Sequence, residues 1–158
     1  VAFSGDPSWS PDGSQLAYRS DGSGEIMVLT LATGQQRQLT NTVSWAEQPA
    51  WSPDGEHIVF MHNLPNQDRH LYIVRADGSD QRMIPLPSYH AEHPTWSPDG
   101  RTLLFEQIQG RTWLYTLDWQ NAQAQPQFVP IEGAADTSRD GIVANFGAVD
   151  ELVAIWQP

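Results

Sequence analysis

The stretch Trp51-Ser52-Pro53-Asp54-Gly55, followed after two residues by Ile58-Val59-Phe60, decides the fold of this chain because it occurs three times. The other copies run from Trp9 to Tyr18 and from Trp96 to Phe105, so successive tryptophans lie 42 and 45 residues apart. A repeat of about 40–45 residues is typical of one β-propeller blade. The sequence therefore predicts an all-β fold, a β-propeller or partial propeller of four-stranded antiparallel blades.

Each copy predicts four strands in the same order. Pro-x-Trp-Ser forms a short first strand, and Pro-Asp-Gly is a turn in which Pro presets φ and Gly accepts a positive φ. The apolar triplet that follows lacks polar alternation, as expected of a strand covered on both faces. Third strands are predicted at Ile26–Leu29, Leu71–Val74 and Trp113–Tyr115, and polar outer strands at Gln36–Leu39 and Gln81–Leu86. The blade repeats lie at about residues 5–40, 47–87, 92–130 and 133–158 of a single domain, 1–158.

The last of these repeats is degenerate, because Ser138-Arg139-Asp140-Gly141 stands in place of Ser-Pro-Asp-Gly and no residues remain for an outer strand. A propeller needs closure, since a terminal blade exposes an apolar face and an open ladder. Three arrangements satisfy the sequence. Val1–Ser4 pairs with the last blade and closes a small ring, the chain is an arc of a longer propeller, or a homodimer completes the ring.

Composition and charge exclude several classes of function. The net charge is −11, and an acidic chain repels phosphate backbones, so we expect no nucleic-acid partner. The chain has no cysteine, which excludes disulfides and thiolate chemistry. No apolar run approaches the ~18 residues of a membrane helix, so membrane insertion is not expected. The start at Val1, without Met or a leader-like segment, indicates a processed protein or a fragment.

Motifs of catalysis are missing from the sequence. There is no G-x-S-x-G nucleophile elbow and no glycine-rich phosphate loop. The repeated Trp, Asp and Gly are interpreted as structural, because every blade needs the same packing and the same turn. We therefore expect a non-catalytic binding scaffold rather than an enzyme, with no catalytic residue and no bound cofactor.

Glu47 and Glu92 are the first candidates for a binding site, because each lies four residues before the tryptophan of its blade. Equivalent positions on the first strands of successive blades line the central channel, so both carboxylates are expected near one channel mouth. Asp6, Gln48 and His93 occupy the next position. Such a group suits a basic ligand, and its oxygens would also suit Ca²⁺ or Mg²⁺. Replacing both glutamates by alanine is expected to weaken a ligand without lowering thermal stability.

Aromatic residues outside the repeated positions extend this surface. Trp45, Tyr89 and Trp119 are interpreted either as binding hot spots or as half-buried loop anchors. A protein or peptide partner, basic or amphipathic, is expected at the channel mouth. The predicted ligand-binding residues are Trp45, Glu47, Gln48, Tyr89, His90, Glu92 and His93.

The histidines of the sequence give only weak indications of a metal-binding site. His90-Ala91-Glu92-His93 is similar to a metal clip, and His62 is expected to face His70 across a hairpin. A zinc site needs three or four ligands in a tetrahedral array, which neither segment supplies, so no metal site is predicted. Asp21–Glu25 is interpreted as a flexible turn.

The phrase Trp-Ser-Pro-Asp-Gly with its apolar triplet resembles the TolB-type WD40-like repeat, over roughly Pro7 to Pro130. That resemblance implies a propeller that binds partner proteins, in a periplasmic or extracellular location. The repeat is also similar to the propeller of prolyl-oligopeptidase-like serine peptidases. The alternatives are therefore an accessory or gating propeller whose catalytic domain is absent, or a metal-dependent carbohydrate-active enzyme that uses the channel carboxylates. Full members of these families usually carry six or more blades, whereas the sequence of this chain predicts at most four.

Overall fold

The computed structural model describes residues 5–66, 68–87, 90–108, 112–121 and 123–129, and these residues form three four-stranded antiparallel sheets. Blade 1 comprises β1 (Ser8–Trp9), β2 (Gln15–Arg19), β3 (Ile26–Thr30) and β4 (Gln35–Gln38). Blade 2 comprises β5 (Trp45–Trp51), β6 (His57–Asn63), β7 (Arg69–Arg75) and β8 (Arg82–Met83). Blade 3 comprises β9 (Ala91–Trp96), β10 (Thr102–Ile108), β11 (Thr112–Asp118) and β12 (Gln127–Phe128). Each blade pairs its strands in chain order, which confirms the predicted four-stranded blades.

A repeated hydrogen-bond pattern builds the Ser-Pro-Asp-Gly turn. In blade 2, Ser52 Oγ donates to Asp54 Oδ1 (2.5 Å) and accepts from the N–H of His57 (2.9 Å). Gly55 closes the turn with a φ of +75°. The other blades repeat both serine bonds, at Ser10 with Asp12 and Gln15, and at Ser97 with Asp99 and Thr102. The turn recurs because this small set of side chains satisfies its buried backbone groups.

Two apolar clusters lie between consecutive blades. Successive side chains of a strand point to opposite faces, so Ile58 and Phe60 face blade 1 while Val59 faces blade 3. All three are completely buried, which is why the strand needs an apolar residue at every position. The first cluster also contains Ala17, Ile26, Val28 and Leu39 of blade 1, and the second contains Leu103, Phe105 and Leu117 of blade 3.

The repeated tryptophan of each blade packs toward the preceding blade. Trp51 and Trp96 are 8% and 7% exposed, and Trp96 Nε1 donates to the carbonyl oxygen of Ala50 (2.9 Å). Trp9 is 59% exposed, because no blade precedes blade 1 among the described residues. The expectation of the same packing is therefore correct for blades 2 and 3, and for blade 1 it stays a prediction because the described residues include no blade before Trp9.

Among the described residues, strand pairing stays within each blade, and the three sheets pack one after another as blades of a partial propeller. Val1–Ser4, Tyr89 and the degenerate repeat at 133–158 lie outside the described residues, and the three closure arrangements stay predictions. Strands β5 and β9 begin at Trp45 and Ala91, near the predicted blade starts. In the part of the chain that the structure describes, there is no helix long and apolar enough to cross a membrane.

Candidate functional site

The starts of the first strands β5 and β9 lie at the end of the blades opposite to the Ser-Pro-Asp-Gly turns. Antiparallel pairing fixes this, since Trp45 pairs with Asn63 at the end of β6, and Ala91 pairs with Gln107 near the end of β10. We call this end the mouth face. It is formed by Arg19, Trp45–Gln48, Arg69 and His90–His93.

A β-bulge interrupts the first strand of blades 2 and 3 on the mouth face. In blade 2 the register shifts between Glu47 and Ala50 of β5. In blade 3 it shifts in the part of β9 that pairs with Leu104 and Glu106 of β10. The residue before proline takes a left-handed conformation at each equivalent position, with φ of +50° at Asp6, +53° at Gln48 and +50° at His93. This conformation costs a non-glycine residue about 1–2 kcal/mol, so contacts around it must hold it.

One of those contacts links blade 2 to blade 3. Gln48 Oε1 accepts a hydrogen bond from the N–H of His93 (2.8 Å), and His93 Nδ1 lies 3.5 Å from Glu106 Oε2. Contact with the Glu106 carboxylate raises the pKa of His93 despite burial, and the charges of Glu92 and Asp6 raise this pKa further. Asp6 belongs to blade 1 and His93 to blade 3, so the effect of the Asp6 charge on His93 brings blade 1 into the same neighbourhood. We call the region of Asp6, Gln48 and His93 the axis.

Glu47 and Glu92 form ion pairs across the blade junctions. Arg19 of blade 1 donates from Nη1 to Glu47 Oε1 of blade 2, and Arg69 of blade 2 donates in the same way to Glu92 of blade 3. Glu92 is only 7% exposed. Removing either carboxylate would take away the ion-pair acceptor of an arginine, which is costly in a partly buried pair. We therefore expect that replacing both glutamates lowers thermal stability, contrary to the expectation from the sequence.

Trp45 is exposed but tightly placed. It is 57% exposed, and the Arg19 guanidinium lies 5.6 Å from the centre of its ring, a cation–π distance. A Cβ on Gly24 would lie 2.8 Å from Trp45 Cδ1, so the indole rests on a backbone that only glycine leaves open. Sequence reasoning missed this contact, since it treated Asp21–Glu25 as a flexible turn.

The other predicted residues lie in different surroundings. His90 has a φ of +64°, and its carbonyl oxygen accepts a hydrogen bond from the N–H of Ile108 (3.0 Å). Trp119 lies away from the mouth face, where its Nε1 donates to the carbonyl oxygen of Gly100 (3.0 Å) and its ring contacts Trp96 edge-on. Trp119 is therefore a half-buried anchor between blades, the second of its two predicted interpretations.

A buried polar group behind the mouth face was only partly predicted. His62 and His70 pair across β6 and β7, as the hairpin suggested, and are 4% and 8% exposed. Burial lowers the pKa of His62, and the charge of Glu25 partly offsets this. Glu25 is 6% exposed and accepts hydrogen bonds from Thr40 Oγ1 and the N–H of Thr42. The sequence carried no periodic signal for Glu25, because it lies at a loop end.

Residues 3–141 match the protein family described as the TolB beta propeller domain. The chain belongs to this TolB propeller family. A search of curated proteins gave no match.

Among solved structures, this TolB-type propeller is similar to TolB from Acinetobacter baumannii, with 23% identity and a TM-score of 0.66 over 77% of this chain and 31% of that one. It is similar to a putative TolB from Agrobacterium tumefaciens, with 25% identity and a TM-score of 0.62 over 76% and 44% of the chains. The β-propeller domain of the trilobed protease from Pyrococcus furiosus, which has an open velcro topology, shares 19% identity and a TM-score of 0.59 over 82% and 43%. The TolB-type propeller thus spans less than half of each of these chains.

Proposed function

We propose that this chain is a non-catalytic module that binds a protein or peptide partner at the mouth face. The observation that carries the proposal is Trp45, which is exposed yet held against Gly24 and under the Arg19 guanidinium. An aromatic side chain that is already ordered offers a large contact area at a low cost in conformational entropy. Exposed, ordered tryptophans of this kind are frequent hot spots of protein interfaces.

Polar residues around the axis define the partner's chemistry in this proposal. Gln48 and Glu106 both contact His93, and Asp6 brings an unburied carboxylate from blade 1. Glu47 and Glu92 act by orienting Arg19 and Arg69 rather than as open carboxylates. Together with the net charge of −11, this favours an amphipathic segment with an apolar anchor for Trp45 and a basic group for the axis. His90 belongs to the proposed surface, and Tyr89, which lies outside the described residues, stays a predicted member of it.

The proposal is tested by selecting peptides from a random displayed library on the purified chain and measuring their affinities by titration. Trp45→Ala is expected to weaken the selected peptides by at least about tenfold, a loss typical of a hot spot. Trp9→Ala is the matched control, because Trp9 is 59% exposed and Trp45 is 57% exposed, but they lie at opposite ends of their first strands. Equal losses for the two variants would show non-specific adhesion to tryptophan, and no loss for Trp45→Ala would reject the mouth face.

A second candidate is an accessory propeller beside a hydrolase domain, supported by the likeness to the trilobed protease propeller. A nucleophile motif in the same gene would favour it. A second copy of the chain, which would cover Trp9 and complete a ring, is a further candidate partner, and a solution mass of twice 17.6 kDa would identify it. A periplasmic or extracellular location follows from the TolB resemblance and is part of the proposal.

A further inference from the structure

We propose that Asp54, Glu56 and His57 bind a divalent transition-metal ion on the turn of blade 2. One ligand atom from each of these side chains lies within 4.8 Å of the other two. Within the described ranges, no other group of three His, Asp or Glu side chains meets that distance. Ligand atoms around one tetrahedral zinc ion lie about 3.3 Å apart, given metal–ligand distances of about 2.0–2.1 Å. Small side-chain rotations would therefore bring all three onto one ion.

The turn already positions two of the three ligands. Asp54 Oδ1 accepts hydrogen bonds from Ser52 Oγ (2.5 Å) and from the N–H of Glu56 (2.9 Å). Both bonds end on Oδ1, so we assign Oδ2 to the ion. The N–H of His57 donates to Ser52 Oγ (2.9 Å), which fixes the backbone from which the imidazole projects. Ligands held in this way lose little conformational entropy when an ion binds.

The imidazole of His57 gives a second, independent observation. The imidazole as a whole is partly exposed, but its Nδ1 atom is buried and has no hydrogen-bond partner, one of a few such side-chain atoms among the described residues. We assign this atom to the ion. A buried polar atom without a partner is unfavourable, and metal coordination is one way to satisfy it. The Trp119 ring, 5.1 Å from the imidazole between centroids, shields one side of His57. Glu56 is only loosely engaged, since its Oε2 lies 3.9 Å from Arg75 Nη2 and both side chains are exposed.

The donor set selects the class of ion. Imidazole nitrogen with two carboxylates suits zinc and the neighbouring first-row metals, whereas Ca²⁺ and Mg²⁺ prefer oxygen ligands alone. Three protein ligands on an exposed turn leave coordination positions for water. The site lies at the opposite end of the blade from the mouth face, so it does not depend on the proposed function.

Blade 2 alone, of the three described blades, supplies this set of ligands. The equivalent residues are Asp12, Ser14 and Gln15 in blade 1, and Asp99, Arg101 and Thr102 in blade 3. All three turns make the same Ser–Asp hydrogen bonds. Glu56 and His57 are therefore not required by the turn itself, and the other blades provide replacements that the fold tolerates.

The experiment is a calorimetric titration of the metal-stripped chain with Zn²⁺, alongside thermal melts with and without the ion. The wild type is expected to bind one ion with micromolar affinity and to melt at a higher temperature when Zn²⁺ is present. The double variant Glu56→Arg with His57→Thr, which installs the blade 3 residues, should lose at least about tenfold in affinity. Its melting temperature without zinc should stay close to that of the wild type.

A gain-of-site variant sharpens the test. Arg101→Glu with Thr102→His places the blade 2 ligands on the blade 3 turn and should raise the stoichiometry from one ion to two. His90→Gln, on the mouth face, should change neither affinity nor stoichiometry. The proposal is overturned if the wild type binds no Zn²⁺, if Glu56→Arg with His57→Thr binds as tightly as the wild type, or if His90→Gln removes the site instead.

Discussion

Trp51 and Trp9 occupy the same position in their blades, yet one is enclosed between two sheets and the other lies in solvent. The difference arises because the indole of one blade packs on the blade before it. A repeated residue therefore has a role in the stability of the chain only where its neighbour is present.

Trp51→Ala is expected to lower the free energy of unfolding by about 3–5 kcal/mol, because it opens a cavity in the cluster between blades 1 and 2. Trp9→Ala should cost less than about 1 kcal/mol, as for most exposed positions. Denaturant unfolding of both variants measures the two costs. Similar losses at both positions would mean that Trp9 is covered in solution.

The pKa values of His93 and His62 should be shifted in opposite directions from the usual value of a histidine. The Glu106 contact raises the pKa of His93 above 6.5, so its contribution to stability is fully present below that pH and is lost as the pH rises through the folded value. Burial lowers the pKa of His62, so its contribution is present above pH 6.5 and is lost as the pH falls. An NMR titration of the imidazole protons measures both midpoints. A His93 midpoint below that of His62 would contradict the geometry described for the axis.

Single strands and loops decide how the mouth face is presented. The first strands of blades 2 and 3 carry a bulge at the residue before proline, and the β2–β3 loop carries the glycine on which Trp45 rests. The prolines after Gln48 and His93 were visible in the sequence. Their left-handed φ was not predictable, because residues before proline usually adopt extended conformations. Contacts between blades, such as that of Gln48 with His93, surround the bulge, and no local pattern records them.

Gly24→Ala is expected to displace Trp45 and weaken binding at the mouth face. Gly34→Ala is its matched control, since the two glycines have φ of +69° and +68° but a Cβ on Gly34 would meet nothing within 4 Å. Both variants carry the same left-handed penalty of about 1–2 kcal/mol, so only Gly24→Ala adds the clash. The indole N–H signal of Trp45 and the unfolding free energy measure the difference. Equal destabilisation with an unmoved Trp45 signal would contradict the contact.

The described residues form three blades whose junctions combine apolar clusters with ion pairs. Arg19–Glu47 and Arg69–Glu92 each tie one blade to the next near the axis. The same residues belong to the mouth face. Arg19 and Arg69 therefore contribute both to the stability of the junctions and to the proposed binding surface.

Glu92→Gln is expected to lower the free energy of unfolding by about 1.5–3 kcal/mol, because it removes a charged hydrogen-bond partner at a buried position. Glu56→Gln is the comparison, since the side chains of its pair with Arg75 are 60% and 46% exposed and such surface pairs contribute about 0–1 kcal/mol. Thermal or denaturant unfolding without metal ions measures both. A Glu92→Gln variant as stable as the wild type would contradict a stabilising ion pair. It would support the sequence-based interpretation of Glu92 as an open binding carboxylate.

The blade repeat, its strand order, its turns and its core triplets followed from the sequence, because each depends on short-range spacing that every copy restates. Partners across the junctions followed only from the tertiary structure. Glu47 and Glu92 proved to be bound by arginines, Trp9 to have no preceding blade among the described residues, and Gly24 to support Trp45. These contacts join residues of different elements. The partners lie 21 to 28 positions apart in the sequence, as for Gly24 with Trp45, Arg69 with Glu92, and Arg19 with Glu47. They depend on how one sheet is rotated against the next, and a single repeat unit does not encode that rotation.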